Sequence, residues 1–102
     1  MASSGPPTSK TRPAVRVQVP AHVAWRAFPA ETVLLNLQTG QYHGLNPTGG
    51  RMFEVIGECG DSELAAARLA AEFDQPLRTI SEDLRELCAG LLSRGLLERT
   101  AG

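Results

Sequence analysis

The run from Thr32 to Gly50, TVLLNLQTGQYHGLNPTGG, restricts what this chain can fold into more than any other stretch. Thr32 to Leu37 is β-branched and apolar, with Val33, Leu35 and Leu37 on one face and Leu34 and Asn36 on the other. Gln38-Thr39-Gly40 is a short loop whose glycine can take the positive φ that closes a hairpin. Gln41 to Leu45 then returns antiparallel. Asn46 is suited to cap a helix, and Pro47 suits its first position, where the N–H it lacks would be unpaired anyway. A third strand is expected upstream, and helices that cover the sheet downstream.

Taken in order, residues 1–14 are rich in Ser, Thr, Pro and Gly. Such a segment buries too little surface to offset its ordering entropy and reads as a disordered arm. Val15, Val17 and Val19 alternate with Arg16 and Gln18, a short strand that Pro20 ends. From His22 to Phe28 the chain stays extended, with Val23, Trp25 and Ala27 on one face and Ala24, Arg26 and Phe28 on the other. Pro29-Ala30-Glu31 turns it into the hairpin. The expected sheet is an antiparallel meander with Thr32–Leu37 in the middle and Gln41–Leu45 at one edge.

Helices follow. The first is expected from Pro47 to Ile56, burying Met52, Phe53 and Ile56 and ended by Gly57. Gly49 and Gly50 in its first turn lower helix propensity, which makes sense if the helix start approaches another backbone closely. The second runs from Asp61 or Ser62 to Phe73, stacking Ala65, Leu69 and Phe73. In the third, Thr79 and Glu82 have capping-box spacing, and Ile80, Leu84, Leu87 and Leu91 form an apolar stripe. Gly95 stops it, and Leu96 to Glu98 form a last short extended piece. The fold class is therefore α+β, winged helix-turn-helix-like: a three-stranded antiparallel sheet followed by three helices, with the domain spanning 15–99.

Composition removes several function classes. A chain of 102 residues supports one domain, and a formal net charge of −1 lacks the basic excess that nucleic acid demands. Winged-helix DNA binding is the architectural rival. Yet the third helix opens Ser81-Glu82-Asp83 and adds Glu86 against Arg78, Arg85 and Arg94, which repels a polyanion about as much as it attracts one. The N-terminus lacks the apolar stretch of a secretory signal, and no window approaches the roughly 20 apolar residues that span a bilayer. Cys59 and Cys88 form no CxxC, so a reduced, cytoplasmic chain is expected. Cys59 is expected in a loop after the first helix. Neither it nor His22 and His43 shows the spacing of a nucleophile pair or a metal site. Gly49-Gly50 lacks the lysine of a phosphate loop. No enzyme, metal or cofactor is expected.

Three stretches carry a family resemblance by their order and spacing: VPAHVAWR from Val19, TVLLNLQTGQYHGLNPTG from Thr32, and LLSRGLLER from Leu91. Together they resemble the PqqD-like family of peptide-recognition domains over about Val17 to Arg99. Within it, Val19-Pro20-x-His22-Val23 and Gly40-x-Tyr42-x-Gly44-Leu45-Asn46 are most similar to the stand-alone recognition proteins of lasso-peptide biosynthesis. The chain departs from the family near Gly50, where a small apolar residue is frequent, and at Phe53, where Trp is frequent; both changes are conservative for packing.

The resemblance implies a non-enzymatic module. Such domains bind the leader segment of a ribosomally made precursor peptide as an added strand, and present it to a leader peptidase and a macrolactam cyclase. Carried over to this chain, the leader-binding residues are Gln41, Tyr42, His43, Gly44 and Leu45 on the edge strand, and Asp83, Leu84, Leu87 and Leu91 on the third helix. Physically, the leucines are mainly a docking stripe that shares its margin with a groove. Tyr42 serves equally well as a packing aromatic, and Asp83 and Arg85 are rim charges. A PqqD-type peptide chaperone for a radical enzyme in quinone-cofactor biosynthesis is the alternative within the same mechanical class. Nucleic acid and membrane are not expected partners.

Overall fold

A computed structural model describes residues 14–100, so the arm expected over 1–14 lies, but for Ala14, outside the described residues. The elements are β1 (Val17–Gln18), β2 (Val23–Ala27), β3 (Thr32–Asn36), β4 (Gln41–Leu45), α1 (Pro47–Cys59), α2 (Ser62–Phe73), α3 (Leu77–Ser93) and β5 (Glu98–Arg99). Strands β2, β3 and β4 form the expected antiparallel meander, with β3 in the middle. Val23 faces Asn36 across β2 and β3, and Thr32 faces Leu45 across β3 and β4.

That register sorts the side chains. Thr32, Leu34 and Asn36 are buried, together with Val23 and Leu45, so this face of the sheet meets the helices. The other face carries Ala24, Arg26, Phe28, Val33, Leu35, Tyr42 and Gly44, by strand alternation. Phe53 of α1 is fully buried and meets Trp25 of β2 edge-on, ring centroids 5.3 Å apart. Ile80, Leu84, Cys88 and Leu91 of α3 close the core beside Ala65 and Leu69 of α2.

Helix α1 starts as the sequence indicates. Asn46 Oδ1 accepts from the Gly49 N–H at 2.7 Å, and Pro47 follows it. The close approach expected at the paired glycines occurs at Gly50, but against a side chain and not a backbone: an added Cβ would lie 2.8 Å from Thr32 Cβ, with the Thr32 main-chain N at 3.8 Å. The end of α1 differs from expectation. Gly57 is helical and packs under Val19, and the helix runs on to Cys59, where Gly60 at φ 71° stops it. Cys59 is thus a helix residue and not a loop residue.

Asp61 caps α2 by accepting from the N–H groups of Glu63 and Leu64, and Asp74 ends it at φ 54°. Arg51 of α1 donates two hydrogen bonds to the Glu72 carboxylate, at 2.7 and 2.8 Å, tying α1 to α2 and holding Glu72 below its ordinary pKa. The Thr79–Glu82 capping box does not form. Pro76 precedes the first turn of α3, the Ile80 N–H reaches the Pro76 carbonyl, and Thr79 lies inside the helix.

The stretch Val15–Val19 contributes only the two residues of β1, outside the three-stranded sheet. It pairs with β5, Val17 opposite Arg99, so the two ends of the domain close on each other. Leu96 and Leu97, expected in the last extended piece, are buried just ahead of β5.

Candidate functional site

The direction of each main-chain group on β4 follows from two hydrogen bonds elsewhere in the sheet. Leu37 N–H donates to His22 O, and Phe28 N–H donates to Glu31 O, each at 2.7 Å. Both bonds join residues directly opposite each other in the β2–β3 register. In an antiparallel pair, hydrogen-bonded and non-hydrogen-bonded pairs alternate. Ala24–Leu35 and Arg26–Val33 are therefore the bonded pairs between β2 and β3. Thr32, Leu34 and Asn36 then turn their N–H and C=O groups towards β4, meeting Leu45, His43 and Gln41. What remains on β4 is Tyr42 and Gly44. Their N–H and C=O groups point away from β3, along an edge that no other strand occupies among the described residues.

The two flanks of this edge differ chemically. On the helix side lies a cleft of about 140 Å³ lined by Asn36, Gln41, Tyr42, His43, Arg94 and Leu96. Arg94, at the C-terminal end of α3, places its Nη1 2.8 Å from His43 Nδ1. A guanidinium only donates, so Nδ1 accepts and the proton of the neutral ring resides on Nε2. Burial, and then the Arg94 charge, push the His43 pKa below its ordinary value. Asn36 forms the floor: its Oδ1 accepts from the Gln38 and Thr39 N–H groups and fixes the β3–β4 turn. His22 Nε2 donates to Gly95 O at 3.0 Å, anchoring the end of α3 against the sheet.

On the open side, Tyr42 is 72% exposed and stands beside Val33, Leu35 and Phe28 in a broad apolar depression. Gly44 leaves bare backbone there. A Cβ on it would lie 2.7 Å from Glu31 Oε1, so the Glu31 carboxylate occupies the space a side chain would take.

The expected site residues fall into separate groups. Gln41, Tyr42 and His43 line the cleft, while Gly44 and Leu45 continue the strand, with Leu45 turned into the core. Leu84 and Leu91 are buried at 0% and 1% exposure and offer no surface without repacking. Leu87 is half-buried against the core and Asp83 is exposed; neither lines the cleft. Sequence reading did not single out Arg94, Asn36 or Leu96. Arg94 lies 51 residues from His43, so no local spacing signals their contact. Among the described residues there is no cluster of His, Cys, Asp and Glu able to hold a metal ion, and no helix long and apolar enough to cross a membrane.

Comparison with known proteins adds a family and a set of structural relatives. The family model for coenzyme PQQ synthesis protein D (PqqD) matches residues 31–97, a span that contains the whole β3–β4 hairpin and all three helices. No curated protein matches the chain. Among solved structures, TbiB1 in complex with the TbiA(beta) leader peptide is 32% identical, with a TM-score of 0.74 over 83% of this chain and 99% of that one. A lasso peptide synthetase B1 complexed with the leader peptide superposes with a TM-score of 0.72, over 81% of this chain and 98% of that one. At 18% identity, this second likeness bears on the fold alone.

Proposed function

Because the chain belongs to the PqqD family, we propose that it binds the leader segment of a ribosomally synthesised precursor peptide as an extra strand along the outer edge of β4. It then presents that peptide to the leader peptidase and the macrolactam cyclase of lasso-peptide biosynthesis. The observation that carries this reading is the outward orientation of the Tyr42 and Gly44 main-chain groups, with neither proline nor lysine in β4 to discourage pairing. The likeness to TbiB1, a protein solved with a leader peptide, supports it over the quinone-cofactor role that the family's description suggests.

Magnitudes indicate what else the guest must touch. Main-chain hydrogen bonds to Tyr42 and Gly44 contribute about 1 kcal/mol each, whereas a micromolar complex needs about 8 kcal/mol beyond the ordering cost. Side chains must supply the difference. Guest residues turned to the helix side enter the cleft of His43, Arg94 and Leu96, and those turned the other way meet Tyr42. No proton transfer or bond cleavage is assigned to the domain. Its contribution is to hold a flexible peptide in one extended conformation.

The test is a titration of the full chain against a labelled synthetic leader of its co-encoded precursor, followed by leader-peptidase cleavage with and without the domain. Saturable binding and faster cleavage are expected. No saturation into the high micromolar range overturns the proposal.

A further inference from the structure

Resting on that reading, we propose that Glu31 makes this edge selective for a basic side chain on the guest strand, at the position paired with Gly44. Glu31, just ahead of β3, continues by alternation the open face that carries Val33 and Leu35, and Gly44 lies on the same face of β4 opposite Val33. Gly44 has no side chain, and Glu31 Oε1 sits 2.7 Å from where its Cβ would be. The carboxylate therefore lies over the edge strand itself.

A guest residue hydrogen-bonded to Gly44 sits with its Cα about 5.5 Å from the Gly44 Cα, and its side chain leaves on the same face. That side chain meets a carboxylate where it would otherwise meet a neighbour's Cβ. Among the described residues Glu31 has no ion pair to satisfy it. Arg26, on the same face, stands across the sheet in line with Val33 and Gly44, and Arg94 is in the cleft on the other face. Tyr42, two residues along the same face, gives the stem of a long side chain an aromatic surface. A lysine or arginine fits this combination, and an aspartate or glutamate is repelled.

The inference is tested with synthetic leaders in which each position in turn is lysine, norleucine or glutamate. They are titrated at low salt against the wild type, Glu31→Gln, Glu31→Lys and Gly44→Ala. Norleucine keeps the stem and removes the charge. At one position the wild type should prefer lysine over norleucine by roughly two- to five-fold, as suits an exposed ion pair, with glutamate weakest. Glu31→Gln should level that order and Glu31→Lys should invert it at the same position. Gly44→Ala keeps the N–H but displaces the carboxylate, and should reduce the preference while binding persists. Leaders that bind but show no position where Glu31→Lys inverts the order overturn the charge selection and leave strand addition standing. Absence of saturable binding by every leader overturns both.

Discussion

Val33 and Gly44 face each other across β3 and β4 as a pair that exchanges no main-chain hydrogen bond, because Val33 bonds towards β2. Gly44 is thus joined to the sheet through its neighbours, His43 and Leu45, while its own N–H and C=O face outward. A residue in that position can lose its N–H without cutting the protein's own ladder.

The consequence is a contrast between adjacent prolines. Gly44→Pro should leave the melting temperature within a few degrees of wild type, since edge positions tolerate proline and Glu31 can swing aside. Leader affinity should fall at least roughly five-fold, from one lost hydrogen bond of about 1 kcal/mol and the obstructing ring. His43→Pro removes a donor that faces β3 and should destabilise the fold by about 1–3 kcal/mol. Differential scanning fluorimetry and fluorescence anisotropy measure the two effects.

His43 should titrate below its ordinary pKa of 6.5, for burial and the Arg94 charge both disfavour its protonated form. Since the folded pKa lies below the unfolded one, this group's contribution to stability is complete above about pH 6.5 and is lost as the pH falls through the folded pKa. An NMR titration of the ring should show the low midpoint. Arg94→Ala should raise the midpoint only partway, because burial is the larger cause. Denaturant curves at pH 7.5 and 5.5 should show a smaller acid loss in His43→Gln than in the wild type.

Gly50 and Gly49 should respond oppositely to alanine. A Cβ at 50 would meet Thr32 Cβ at 2.8 Å, so overpacking of about 1–3 kcal/mol outweighs the gain of up to about 1 kcal/mol in helix propensity. At 49 the nearest atom is Asn46 Oδ1 at 3.3 Å, a tight contact that a shift of a few tenths of an ångström in that short side chain relieves, and Leu45 Cβ at 3.6 Å is at ordinary contact distance. Gly50→Ala should unfold at lower urea concentration than wild type, and Gly49→Ala at an equal or higher one.

The parts of the fold legible in the sequence are those set by short-range chemistry. The β3–β4 hairpin, the Asn46–Pro47 helix start and the Asp61 cap each depend on a few adjacent residues. The end of α1 was not legible, because Gly57 and Gly60 look alike in sequence. Only packing against Val19 and a φ of 71° separate their roles. The capping box failed because Pro76 lets α3 begin at Leu77, earlier than Thr79 suggested. For the site, the edge strand was visible as β4, but which of its members face outward follows from a bond between His22 and Leu37, just beyond the ends of β2 and β3. The His43–Arg94 contact joins distant segments and leaves no periodic trace.

Amide hydrogen exchange along β4, read residue by residue in the free protein and at saturating leader peptide, tests the edge most directly. His43 and Leu45 face β3 and should be protected in both states. Tyr42 and Gly44 should exchange rapidly in the free protein and become protected when the leader is bound. If both still exchange rapidly in the saturated complex, the leader binds elsewhere and strand addition to β4 is wrong.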